Sequence, residues 1–234
     1  MHRGPHPEDA ELFAAPARPS LRDAARDLCW LLNRGYPADS SLKLVGDRYG
    51  LAARQRTAVA RSSCSDAQRT RRRLHEATAE RVAGRALWLD GYNVLTTVEA
   101  ALAGGVLLLA RDGTYRDMAS MHGSYRKVNE TRPALELVGR VTEDLAVAEC
   151  VWYLDRPVSN SGRLKKILDQ IASGLKIPWR VELVPNPDAI LIQSREIVAT
   201  ADSAILDRCQ AWFNLARRVV EEHVPGALVV VFWA

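Results

Sequence analysis

Long apolar runs are missing from this chain of 234 residues. No stretch reaches the roughly 18 apolar residues that a membrane span needs, so no membrane partner is expected. The opening MHRGPHPEDAELF lacks the basic region and following apolar stretch of a secretory signal, and a cytoplasmic location is expected. Cysteine is scarce and scattered. Cys29, Cys64, Cys150 and Cys209 form no CxxC pair, and the five histidines do not stand at zinc-ligand spacings beside them. Reduced, partly buried thiols fit better than a zinc site. The patterns GxxxxGK followed by Ser or Thr, and GxGxxG, are absent too, which counts against a small-molecule phosphate enzyme.

The composition is otherwise that of a globular protein, 47% hydrophobic and 26% charged, at a length suited to one large domain or two unequal ones. The net charge of +4 and pI near 9.0 hint at a polyanionic partner. Arg54, Arg56, Arg61, Arg69, Arg71, Arg72 and Arg73 fall within one short stretch, opposed there only by Asp66. Such a run is either a solvated helix face or a footprint for a nucleic-acid backbone, with Arg54 and Arg56 among the candidate contacts.

Residues 1–18 form a loose lead-in rich in Pro, Ala and charge. Residues 19–84 carry helical periodicity: a first helix opening at Ser20, a second over about 39–49, an Arg-rich third from about Ala52, and a fourth over 66–81. Helix, glycine turn and Arg-rich helix together are the grammar of a helix-turn-helix unit. After Gly84 the pattern changes. ALWLD (86–90), VLLLA (106–110), CVWYLD (150–155), RVELV (180–184), EIVAT (196–200) and ALVVVFW (227–233) read as strands, separated by helical stretches over 92–103, much of 115–147, 161–174 and 203–223. Near-continuous apolar strands predict a mainly parallel sheet inside a three-layer α/β sandwich. The run around Asp112-Gly113 reads equally as a hairpin or edge element.

Ligands of open parallel sheets bind beyond the carboxyl ends of the strands. Three predicted strands stop there on an aspartate: Asp90, Asp155 and, after Ala201, Asp202. One such residue is ordinary helix capping. Three sharing one edge repel one another unless a cation or a shifted proton intervenes. Carboxylates without Cys or His neighbours favour Mg²⁺ or Mn²⁺, ions that serve phosphoryl displacement. The turn Ser159-Asn160-Ser161 opens a helix carrying Lys165 and is either a phosphate grip or a plain cap. In 121–133, His122 is a candidate general acid or a structural residue, and Arg126 a candidate phosphate contact. Trp88 and Trp152 read as core. Tyr92 either stacks on a base or packs on the following helix.

ALWLDGYNVL resembles the first motif of NYN and other PIN-like nucleases, in which an apolar strand runs into Asp-Gly-x-Asn. TADSAI resembles a later motif of that group, and LDRPVSNSG stands in the place of its middle acidic strand end. The resemblance implies a PIN-like domain over 85–234, with Asp90, Asp155 and Asp202 as metal ligands, Asn93 orienting the first acid or touching substrate, and Asp207 as a further acid. PIN domains often carry another acid on a helix, for which Glu99, Asp117 and Glu130 are the candidates. KLVGDRYGLAARQRTAV, with DGYNVL and DRPVSNSGRL, also resembles the domain of unknown function 434 family. A haloacid-dehalogenase-type phosphatase is disfavoured, because Tyr92 stands where that family has a second Asp. The expectation is a metal-dependent ribonuclease with RNA as partner and room for homo-oligomers. Its alternative is a non-catalytic nucleic-acid-binding protein on a degenerate PIN-like scaffold.

Overall fold

The computed structural model describes residues 4–118 and 125–233. His122 lies outside the described residues. Helices come first: α1 (Asp9–Leu12), α2 (Arg18–Leu32), α3 (Ala38–Arg48), α4 (Ala53–Ser62), α5 (Asp66–His75) and α6 (Ala79–Val82). Pro19 sits in the first turn of α2, where a missing N–H costs nothing, so the helix starts before Ser20. A capping box opens α5: Gln68 N donates to Ser65 Oγ at 3.2 Å and Ser65 N donates to Gln68 Oε1 at 3.0 Å.

Strands and helices then alternate: β1 (Ala86–Asp90), α7 (Gly91–Leu102), β2 (Leu107–Leu109), β3 (Tyr115–Asp117), α8 (Thr131–Asp144), β4 (Glu149–Asp155), α9 (Ser161–Ala172), β5 (Trp179–Val184), α10 (Pro187–Gln193), β6 (Ile197–Ala199), α11 (Ser203–Leu206), β7 (Trp212–Phe213), α12 (Leu215–His223) and β8 (Val229–Val231). Five strands form one all-parallel sheet in the order β5-β4-β1-β6-β7. Alternate side chains bury on opposite faces. Leu87, Leu89, Trp152, Leu154 and Ile197 meet α7, α8, α9 and α12 on one side. Trp88, Val151, Tyr153, Val198 and Trp212 meet α10 and α11 on the other. Burial on both faces is why these strands read as continuous apolar runs.

Two expected strands of that sheet lie elsewhere. VLLLA contributes β2, which pairs antiparallel with β3 around Asp112-Gly113 and parallel with β8, making a second sheet of three strands. Gly113 takes the positive φ of 88° that the turn requires. One face of this sheet packs Leu108, Met118, Val230 and Phe232 against Leu21, Leu28, Val45 and Val59 of the N-terminal helices. Its other face packs Leu107 and Tyr115 on Ala100, Ala101 and Val220. The N-terminal helices therefore share a core with the α/β part. The stretches expected as long helices over 115–147 and 203–223 are interrupted by β3 and β7, the latter only two residues long and too short to show a period.

A buried ion cluster ties the parts together. Arg72, whose side chain is 1% exposed, reaches Asp112 at 2.5 Å and Asp207 at 2.7 Å, and Arg116 reaches the same Asp112 at 2.6 Å. Burial opposes the charge on Asp112, but Arg116 and Arg72 outweigh it and hold the carboxyl down at about 2. Removing one member of a buried cluster strands the others. Arg72→Met is expected to lower stability by about 3–5 kcal/mol, read as a reduced urea midpoint. An unchanged midpoint would contradict this.

Candidate active site at the sheet reversal point

Strand order fixes where a ligand can enter. From β1 the chain builds outward through β4 to β5, then crosses to β6 and β7 on the other side. Neighbouring loops part company between β1 and β6, leaving a crevice beyond their carboxyl ends. Asp90 ends β1 and Asp202 follows β6. Gly91 lets α7 start at once, since a Cβ there would stand 2.5 Å from the Leu154 side chain and 2.8 Å from the Tyr153 carbonyl.

Two contacts stitch the two lips together, and a third braces the loop after β6. Thr200 Oγ1 donates to Asp90 Oδ2 at 2.8 Å, Asp202 N donates to Thr200 Oγ1 at 3.0 Å, and Ala201 N donates to Asn93 Oδ1 at 2.7 Å. Asn93 is thus a brace between the two acidic loops. Asp202 caps α11 through Oδ1, accepting from Ala204 N at 2.8 Å and Ile205 N at 3.1 Å.

One further acid stands at this edge, unmarked by any strand pattern in the sequence. Asp188, in the first turn of α10 just past β5, is exposed on the same edge. Burial first, then the charges of Asp202 and Asp188, push the Asp90 carboxyl up to about 7, against the Thr200 bond. Asp155 is raised by burial and by Asp188, and Asp188 by burial and by Asp202, with Arg208 opposing at longer range. Among the described residues, none of these four carboxylates has a Lys or Arg nitrogen within 4.0 Å. Nor are any three Asp, Glu, His or Cys side chains there placed to hold one metal ion between them.

Other expected site residues have structural partners. Asp207 lies at the far end of α11, holding Arg72 and, at 2.7 Å, Gln68. Arg54 pairs with buried Asp9, its Nη2 at 2.9 Å. Arg56 donates to Asp47 at 2.9 Å and to the Leu51 carbonyl at 2.9 Å. Lys165 donates to the Val181 carbonyl at 2.6 Å. In the 159–161 turn, the Ser159 carbonyl accepts from Tyr125 N, Asn160 Nδ2 donates to the Tyr125 carbonyl at 3.0 Å, and Ser161 Oγ donates to the Arg156 carbonyl at 3.3 Å. Arg126 is exposed. Glu99 is buried under Tyr125 and Thr131, which donate to it at 2.5 and 2.6 Å, and Glu130 stands at the start of α8. The Tyr92 ring packs against Tyr125 with centroids 5.4 Å apart.

Beside the crevice opens a cleft of about 330 Å³, bounded by Asn93, Thr96, Thr97, Asp117, Asp202 and, from α4, Arg61. Of the three further acids weighed from sequence, Asp117 is the one that lines it.

Asp90 has a pH consequence. Its folded pKa of about 7 lies above the ordinary 3.8, so its contribution is intact below pH 4 and is lost as pH rises through 7, on the order of 4 kcal/mol. In chelator, Asp90→Asn is expected to melt higher than wild type at pH 8 and similarly at pH 4. A difference independent of pH would contradict this assignment.

Residues 79–218 match the family model described as Domain of unknown function (DUF5616), and residues 20–74 match Protein of unknown function (DUF434). The junction falls just past α5, where Ala77 N donates to the Trp212 carbonyl at 2.7 Å. Uncharacterized protein MJ0935 of Methanocaldococcus jannaschii is similar to the chain, 34% identical over 190 residues that cover 80% of this chain and 89% of the relative. No solved structure matches. With its N-terminal part matching the 434 model as the sequence motifs implied, the chain belongs to the DUF5616 family.

Proposed function

We propose that the chain is a divalent-cation-dependent ribonuclease whose α/β part is PIN-like, with Asp90 and Asp202 at its centre and Asp155 and Asp188 flanking them. The observation that carries this reading is the unbalanced negative charge in the reversal-point crevice: Asp90 is raised to about 7 by its own burial and by carboxylates that no arginine or lysine offsets at contact range. Elsewhere in the same protein, buried Asp112 is matched by two arginines. A site left without such matching is suited to a cation from solution.

The donor set fits Mg²⁺ or Mn²⁺ held by one or two carboxylates and water, the usual habit of Mg²⁺, and does not form a closed cage of three protein ligands. Such an ion, when bound, neutralises charge on a phosphodiester and assists in-line attack by water. The chain's own residues do the rest. Thr200 holds Asp90 oriented, Asn93 keeps the β6 loop against α7, and the α11 cap fixes Asp202. Arg69, Arg71 and Arg73 on exposed positions of α5, with Arg208 after α11, supply cations for a nucleic-acid backbone.

That no three side chains form such a cage among the described residues favours a second reading, a nucleic-acid-binding protein without chemistry. One assay separates them. Purified chain incubated with labelled single-stranded RNA and Mn²⁺ is expected to cleave it, and Asp90→Asn or Asp202→Asn to slow cleavage by about a hundredfold or more. Cleavage that survives both substitutions sinks the proposed site. Salt-sensitive binding without cleavage establishes the second reading.

A further inference from the structure

Among the described residues, five large hydrophobic side chains are exposed, and three of them gather on the outer side of α2 and α3. Trp30 is 53% exposed, Leu44 62% and Tyr36, in the turn between the two helices, 55%. The helical period explains their placement. Leu28 and Val45 turn into the core shared with the smaller sheet, while Trp30 and Leu44 lie off that stripe and turn out. A single exposed apolar residue is ordinary. A group of them on one face marks a surface that a partner covers.

The face is shaped as well as apolar. Between the helices lies a groove of about 440 Å³, lined by Asp27, Trp30, Leu31, Leu44, Val45 and Arg48. The Arg34 guanidinium stacks on the Trp30 ring at 3.6 Å and donates to the Trp30 carbonyl at 3.3 Å, which holds the ring beside the groove. Tyr36 N donates to the Leu31 carbonyl at 3.3 Å, so the turn is tied to the same helix end. One face thus carries both a hollow and projecting apolar side chains able to fill one. None of the residues that line this groove lines the cleft beside Asp202.

The charges around the groove select its occupant. Arg26 stands 3.4 Å from Asp23, Lys43 2.7 Å from Asp47 and Arg48 3.7 Å from Asp27. Both signs alternate along the rim. Exposed pairs of this kind contribute little where they stand, so exchanging partners across an interface costs little. A nucleic-acid backbone calls for cations without acids beside them. That is the state of Arg69 and Arg73 on α5, which have no carboxylate within 4.0 Å among the described residues. It is not the state of Arg26, Lys43 and Arg48. A surface that holds acid and base in equal measure, and hollow and projection together, is complementary to itself under a two-fold rotation.

We infer that the outer face of α2 and α3 docks a second copy of this chain, with Trp30 and Leu44 of each copy packed into the groove of the other. Two helix pairs set face to face form a four-helix layer, and the rim acids of one copy meet the rim bases of its partner. The segment that matches DUF434 then has two working faces, one braced against Asp207 through α5 and one joining the copies. The assignment is independent of what the acidic crevice does.

The test is sedimentation equilibrium of the full chain at concentrations up to about 200 µM. The wild type is expected to reach twice the chain mass of 25.9 kDa, with a dissociation constant on the order of 10 µM. Leu44→Glu and Trp30→Ala are each expected to raise that constant at least about tenfold. Leu74→Glu, at an exposed leucine of α5 outside the face, is expected to leave it unchanged. Urea midpoints check that the variants keep their fold. A wild type that stays monomeric overturns the inference, even where RNA or another protein is found to occupy the groove, and that reading needs no variant. A dimer that survives both Leu44→Glu and Trp30→Ala is built through another surface and overturns it equally.

Discussion

Unmatched negative charge at the edge of one parallel sheet is the constraint around which this protein is arranged. Two aspartates removed in large part from solvent, Asp112 buried and Asp90 partly so, make the point by contrast. Asp112 sits between Arg72 and Arg116 and is held down near 2, fully ionised and structural. Asp90 sits beside Thr200, Asn93 and other carboxylates and is raised to about 7. Desolvation raises both carboxyls, so the difference in direction comes from the charges around them. A fold that supplies arginines so freely to Asp112, Asp9 and Asp207 leaves the crevice, among the described residues, without one at contact distance.

The arginine-rich segment turns inward more than its composition suggests. Arg54, Arg56 and Arg72 are taken up by acids of the chain, and Arg61 by the cleft wall. Through Arg72, Gln68 and Arg71, helix α5 grips Asp207 at the end of α11, while Arg116 holds Ala201 at its beginning. The short helix that Asp202 caps is therefore clamped at both ends. Loops that carry function gain precision from such rigid supports. This is the physical link between the two stretches that match separate family models: one braces the acidic loop that the other presents.

Much of this was legible in the sequence, and the misses share a cause. Asp90 and Asp155 are visible because an apolar strand ends on each, and Asn93 because it follows in the same motif. Asp188 escaped notice because it stands past Pro185-Asn186-Pro187, after the strand pattern has stopped. The runs at 106–110 and 227–233 are true strands, but an apolar run does not say which sheet it joins. The partners of Arg54, Arg72 and Asp207 lie 40 to 139 residues away, and no local spacing reveals such pairings. Asp207 looked like a site residue from its place near Asp202. The turn of α11 carries it to the opposite end, where Arg72 waits.

The central claim, that the reversal-point crevice is built for a cation, is tested most directly by diffraction from crystals of the full chain soaked in Mn²⁺, with data collected at the manganese absorption edge. The account predicts one anomalous peak between the carboxylates of Asp90 and Asp202, absent from crystals of Asp202→Asn. A crevice without a peak, or manganese found only on other surface carboxylates, would contradict it.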